Sequence, residues 1–195
     1  MSHRTWFTKV LHAALLLSVA HQLSLVGLVK PPRAASAGNI FFAWHETVGL
    51  FTLGVVTVFW LWALVRRSAP SLGALFPWLS VRRRQAVWND LRDHLNELRR
   101  RFRLKDADES ALASAVHGLG LLTVFAMSGT GAVMALGGIP GGPVLQIHKL
   151  LANLMWVYVI AHASIALLHQ FQGHRVLQRM FGSTPGSCVR TSPME

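Results

Sequence analysis

Two histidines, His148 and His162, lie fourteen residues apart within one long apolar segment. Fourteen residues of α-helix make nearly four turns, so both imidazoles would lie on one face, about 21 Å apart along the axis. Histidine is costly in hydrocarbon, and a membrane segment that keeps two of them aligned at two depths needs a functional reason. Imidazole is a common ligand of haem iron. The spacing therefore predicts a stack of two haems, one towards each surface of a membrane.

The composition predicts the helices that would carry these residues. The chain has 195 residues, of which 52% are hydrophobic, and this is more apolar than a soluble domain needs. The charged start resembles a secretory signal, but the apolar run after it is too long for one, so we expect a retained first span. The predicted fold is all-α, an integral membrane four-helix bundle formed by residues 1–181 and followed by a disordered tail at 182–195. Its spans have the required length of about 20 mostly apolar residues and are expected near 6–29, 40–65, 112–136 and 144–171.

The charge distribution predicts the topology. Of the nineteen Lys and Arg, eleven lie between spans two and three, two precede span one and three follow span four. Only Lys30, Arg33 and Lys149 lie on the opposite side. The positive-inside rule then places both termini and the long loop, residues 66–111, in the cytoplasm. The net charge of +11 is mostly a topology signal with anionic lipid as partner, and no nucleic-acid-binding motif accompanies it.

The long loop contains a periodic apolar pattern at spacings of three and four residues. Such a pattern puts these side chains on one stripe of a helix, and arginines cover much of the remainder. We expect an amphipathic helix at the inner membrane surface, although a docking surface for a soluble partner fits the same pattern. The stripe consists of Trp88, Leu91, Leu95, Leu98 and Phe102.

The predicted depth in the membrane pairs four of the ten histidines. His45 and His148 lie about five and four residues inside the outer ends of their spans, roughly 6–8 Å below one surface. His12 and His162 could share a depth nearer the cytoplasm, and His117 of span three competes with His12 as the partner of His162. Two imidazoles on one haem iron leave no open position for gases, so the predicted chemistry is electron transfer.

The remaining histidines have other predicted roles. His169 lies two turns beyond His162 on nearly the same face, where it could donate a hydrogen bond to a quinone carbonyl. A quinone site would be lined by His169 and His117, with Arg175 near the interface. His21 is expected to pack against a neighbour, and His3, His94 and His174 to be solvated. The single cysteine, Cys188, excludes an intrachain disulfide and a c-type haem attachment.

With these features the chain resembles the bacterial cytochrome b561 family, which includes the b-type cytochrome subunits of nickel-iron hydrogenases and formate dehydrogenases. The resemblance rests on VLHAALLL in span one, WHETVG in span two and IHKLLANLMWVYVIAHASIALLHQF in span four. It implies that His45 pairs with His148, and that His12 rather than His117 pairs with His162. The chain departs from the family in Ala13, where an aromatic residue is often found, and in its longer basic loop.

The resemblance and the residues together predict a dihaem cytochrome that passes electrons between an outer-side donor and the quinone pool. The donor would be superoxide or another small reductant, steered by a positive rim of Lys30, Arg33 and Lys149. Alternatively, the protein would anchor a periplasmic dehydrogenase or hydrogenase and relay its electrons. A different class of function, a haem-free four-helix membrane anchor or assembly factor, would leave the purified protein colourless.

Overall fold

The computed structural model describes residues 5–32, 37–66, 72–101, 110–138, 141–174 and 180. These residues form six α-helices and one 3₁₀ turn at Pro77–Leu79, and they contain no strand, so the prediction of an all-α fold is confirmed. The predicted tail and four residues named above, His3, Arg33, Phe102 and Arg175, lie outside the described part. The helices are α1 (Trp6–Leu25), α2 (Ile40–Val65), α3 (Leu72–Leu75), α4 (Val81–Arg101), α5 (Ala111–Gly137) and α6 (Gly142–Phe171).

Three of the described helices, α2, α5 and α6, are long and apolar enough to cross a membrane. Their bounds agree with predicted spans two, three and four within two residues. The helix α1 has 20 residues and ends at Leu25, four residues before the predicted end of span one. It is not among the three, because Lys9, His12, His21 and Gln22 lower its hydropathy.

The side chain of Asn39 fixes the connection between α1 and α2. Its oxygen accepts hydrogen bonds from the backbone N–H groups of Phe42 and Lys30, both at 3.0 Å. Its amide group donates to the carbonyl of Leu28 at 2.8 Å. The first bond caps α2, and the other two hold the turn after α1 against the start of α2. Asn39 therefore sets the level of His45, which follows six residues later.

The helix expected in the long loop is present as α4, and Asp90 attaches it to the start of α5. The Asp90 carboxylate accepts hydrogen bonds from the Ser110 hydroxyl and, at 3.0 Å, from the Leu112 N–H. The Ser110 oxygen in turn accepts from the Ala113 N–H at 3.1 Å. Two side chains thus satisfy N–H groups that a helix start leaves without partners.

The long helices pack in the order α1 against α2, α2 against α5, and α5 against α6. The core is built from small and branched residues such as Val56 and Ala63 of α2 and Val124 of α5. Within α6, which the structure describes in full, Met155 and His169 are the only buried residues. The helix that carries the fourteen-residue histidine pair is thus held by the protein along a narrow strip.

Gly118 of α5 gives a test of this packing, because α3 lies directly against it. A Cβ atom at Gly118 would be 2.0 Å from the Leu75 carbonyl oxygen, a backbone atom. We expect Gly118→Ala to destabilise the folded protein by about 1–3 kcal/mol, as overpacking does, and to lower the melting temperature in detergent. The control is Gly129→Ala, because Gly129 has no atom within 4 Å of a Cβ. It should be neutral or stabilise by up to about 1 kcal/mol, and equal melting of the two variants would contradict the packing.

Candidate cofactor sites

The first candidate site, here called the outer site, is formed by His45 of α2 and His148 of α6. Each residue lies near the first turns of its helix, and both helices begin at this end of the molecule. The two imidazole centroids are 6.1 Å apart, with the ring planes at 85°. Imidazole nitrogens bind first-row metals at about 2 Å, so two rings on opposite sides of one ion have centroids roughly 6 Å apart. The observed spacing fits one metal ion between the two rings.

Hydrogen bonds orient the ring of His148. Its Nδ1 lies 3.0 Å from the Met127 carbonyl oxygen and 3.0 Å from the Thr130 hydroxyl. Because a carbonyl can only accept, Nδ1 carries the proton and donates it to Met127, which leaves the lone pair on Nε2. Gly131 of α5 provides room for this ring, since a Cβ there would lie 3.3 Å from the His148 Cε1 atom. The ring is therefore prepared to bind a metal through Nε2.

A buried glutamine of α1 supports the outer site from the other side. Gln22 is 6% exposed, and its amide Nε2 donates to the backbone carbonyl of His45 at 2.7 Å. The Gln22 Oε1 and the His45 Nδ1 atoms are buried and make no hydrogen bond within the described part of the chain. His21 packs against Trp44, with centroids 6.3 Å apart, as predicted.

The second candidate site, here called the inner site, brings together three histidines from three helices. One ring nitrogen from each of His12 (α1), His117 (α5) and His162 (α6) lies within 4.8 Å of the others. The rings of His117 and His162 have centroids 5.2 Å apart at 87°. His117 is also oriented, because its Nδ1 donates to the Ala113 carbonyl at 2.7 Å and Nε2 keeps its lone pair. His12 and His117, the two predicted alternatives for the partner of His162, therefore both lie next to it.

A cavity adjoins the inner site between α1, α2, α5 and α6. Its volume is about 160 Å³, and most of its wall is apolar, with residues such as Val19, Val124 and Met155. Its polar lining consists of the three histidines together with Thr8, Arg66 and Tyr158. Apolar walls around imidazole nitrogens suit a large flat apolar ligand that carries a metal ion.

Tyr158 is part of the inner site, and the sequence reasoning missed it. Its ring stacks on that of His162, with centroids 5.4 Å apart and planes at 10°. It also lies against Gly120, where a Cβ would be 2.3 Å from the tyrosine ring. The signal was present in the sequence, because residues four apart on a helix are neighbours on its surface.

The predicted quinone residues are not all in one place. His169 is 4% exposed, and its Nδ1 lies 3.1 Å from that of His174. Among the described residues it does not line the cavity of the inner site, whereas His117 does. His94 and His174, which were expected to be solvated, are half-buried, with His94 against the Asp90 carbonyl at 2.8 Å and His174 against His169. Of the predicted outer rim, Lys30 and Lys149 are exposed.

The helices and the two histidine sites define a helical membrane protein equipped to bind a metal-centred cofactor through imidazole. The chain matches the family model of prokaryotic cytochrome b561 over residues 3–183 and belongs to that family, as its sequence motifs indicated. It is therefore a multi-pass membrane b-type cytochrome that binds haem b and acts in electron transfer. Searches of the curated proteins and of the solved structures found no match.

Proposed function

We propose that the protein is a dihaem cytochrome b that carries electrons across the bacterial inner membrane, from an outer-side donor to the quinone pool. The observation that carries this proposal is the presence of two histidine sites at two different levels of α6. His148 and His162 are about 21 Å apart along the helix axis, and each has at least one histidine of another helix beside it. With a redox centre at each site, an electron would cross the membrane in shorter steps.

The chain offers axial ligands for two haems. His45 and His148 would hold the outer one, and His162 with His12 would hold the inner one, as the family resemblance implies. Bound haem supplies reversible one-electron transfer, and two imidazole ligands leave no open position on the iron. His117, the third histidine of the inner site, then keeps the lone pair on Nε2, which can accept a hydrogen bond, in a cavity with a mostly apolar wall.

The proposal includes a topology with four spans. Here α1 is the fourth span, and both termini and α4 are cytoplasmic, in agreement with the distribution of Lys and Arg. On α4, Trp88, Leu95 and Leu98 are 54%, 50% and 41% exposed, and Arg92 lies over the Trp88 ring at 5.3 Å. Exposed apolar residues beside arginines fit contact with anionic lipid at the inner surface.

Quinone would react near the cytoplasmic end. Conversion of one quinone to quinol takes up two electrons and two protons, so the site needs groups that deliver protons. His117 and the buried His169 are candidates, and His174, in contact with His169, lies just beyond the end of α6. Arg175 completes the proposed set and adds a positive charge for anionic forms of the substrate.

Superoxide is the proposed donor at the outer side. Each superoxide anion gives up one electron and becomes O₂, so two of them reduce one quinone together with two protons. The exposed Lys30 and Lys149, with Arg33, would form a positive rim that attracts a small anion and raises its rate of encounter. The connection between α5 and α6 at this end is short, since α5 ends at Gly137 and α6 begins at Gly142, and this favours a small donor over a large docked subunit.

We expect the purified protein to contain two haems b per chain and to show the absorption bands of reduced low-spin haem after addition of dithionite. In liposomes with a quinone and a superoxide generator, it should form quinol, and superoxide dismutase should abolish this reaction. Haem extraction and quinol chromatography measure the two results. A colourless protein contradicts the proposal as a whole. Two haems without quinol formation contradict superoxide as donor and favour the relay role beside a periplasmic dehydrogenase.

A further inference from the structure

Arg66 is a basic residue that the charge distribution alone assigns to the cytoplasmic loop. In the structure its side chain lines the cavity of the inner site. Its backbone N–H donates to the Trp62 carbonyl at 2.9 Å, and its dihedral angles are extended, so α2 ends here. The guanidinium carbon lies 6.0 Å from the centre of the Phe59 ring. Arg66 therefore turns from the end of α2 towards the space between the helices.

Thr8 of α1 belongs to the same end of the cavity. Its hydroxyl oxygen accepts a hydrogen bond from the indole Nε1 of Trp62 at 3.0 Å, and Thr8 is buried. Trp62 thus holds Thr8 through its side chain and Arg66 through its backbone carbonyl. Trp62 therefore contacts both Arg66 and Thr8, which lie at the end of the cavity where α1 begins and α2 ends.

The cavity consequently has two chemical parts. Its middle contains the three histidines of the inner site between apolar residues such as Leu121 and Met155, whereas its end contains Arg66 and Thr8. A ligand that matches both parts has an apolar body, a metal ion for the imidazoles and an anionic group at one edge. Haem has this combination, since its macrocycle is apolar and carries two propionate carboxylates on one edge.

We propose that Arg66 binds a propionate carboxylate of the haem in the inner site and thereby fixes which edge of that haem points towards the cytoplasmic end. This inference rests on the proposed function. Guanidinium and carboxylate form charge-assisted hydrogen bonds in a bidentate geometry that a lysine ammonium cannot reproduce. The apolar wall strengthens the attraction, because few water molecules compete for either charge.

The test compares haem with haem dimethyl ester, in which both propionates are uncharged. The intact wild-type protein is loaded with each, and their release to excess apomyoglobin is followed by absorbance. Two phases are expected, one for each site. A charged hydrogen bond is worth about 1.5–3 kcal/mol, so the ester should leave the inner site about 10 to 150 times faster than haem.

The matched variants are Arg66→Gln and Arg82→Gln. Arg82 is an exposed arginine of α4 that does not line the cavity. Arg66→Gln should speed haem release from the inner site about 10- to 150-fold and should release haem and ester at similar rates there. Arg66→Lys should recover only part of the difference, and Arg82→Gln should behave as wild type.

Equal release of haem and ester from both sites of the wild-type protein would overturn the role of Arg66, and this measurement needs no variant that has to fold. The same conclusion follows if Arg66→Gln keeps the wild-type preference for haem. In both cases two bound haems leave the proposed function intact. A protein that binds no haem at all overturns the proposed function and this inference together.

Discussion

His148→Ala should bind one haem b instead of two and should lose superoxide-driven quinol formation down to the rate without protein. The physical reason is that the outer site pairs the imidazoles of His45 and His148, with centroids 6.1 Å apart. Without His148 a metal ion there keeps one protein ligand. The bonds from its Nδ1 to Met127 and Thr130 show that this ring is held in place for its Nε2 to bind. Haem extraction gives the stoichiometry, and quinol chromatography gives the rate.

The matched control is His21→Ala, which also removes a half-buried imidazole of the same end of the molecule. His21 packs against Trp44 and is not one of the proposed ligands. This variant should keep two haems and most of the activity. If His148→Ala still contained two haems, or if His21→Ala lost one, the composition proposed for the outer site would be wrong.

His162→Ala should lose the other haem and leave the outer one in place. His162 is the member of the inner site that both candidate partners face, and its ring is stacked on Tyr158. Its sequence neighbours, Ala161 and Ala163, carry no group that could bind a metal ion. Redox titration followed by absorbance should show a single one-electron step in place of two.

The same titration decides between His12 and His117. We expect His12→Ala to lose the inner haem and His117→Ala to retain two haems while quinol formation slows. His117 keeps its bond to Ala113 in this assignment and acts through hydrogen bonding near the quinone. The reverse result, haem loss in His117→Ala alone, would make His117 the ligand and remove the assignment of His12.

The outer site could be predicted from the sequence because the depths of His45 and His148 within their spans were sufficient to pair them. His45 and His148 follow closely after the starts of two helices that begin at the same end of the molecule. The two side chains therefore have nearly the same depth. Depth was insufficient at the inner site, where α1, α5 and α6 each bring a histidine to one level. Which ring points at which depends on helix rotation and packing, and periodicity in one sequence does not specify these.

Arg66 and Gln22 are two further residues whose positions could not be predicted from the sequence. Arg66 was read as a topology signal because a charge at the end of a span usually lies in water or among headgroups. In the structure it lines the cavity together with Thr8, which accepts a hydrogen bond from Trp62, 54 residues away in the chain. Gln22 lies next to His21 in the sequence, but its bond to the His45 carbonyl crosses between two helices. Contacts between residues far apart in the chain determine both positions.

The helix α6 contacts the rest of the protein along a narrow strip, so the stability of the folded chain should depend on whether its cofactor is bound. A group bound between α1 and α6 stabilises the folded state by mass action, by about 4 kcal/mol when its free concentration is a thousand times its dissociation constant. A chain made without haem would lack this stabilisation. We therefore expect the amount of this cytochrome in the membrane to follow haem synthesis.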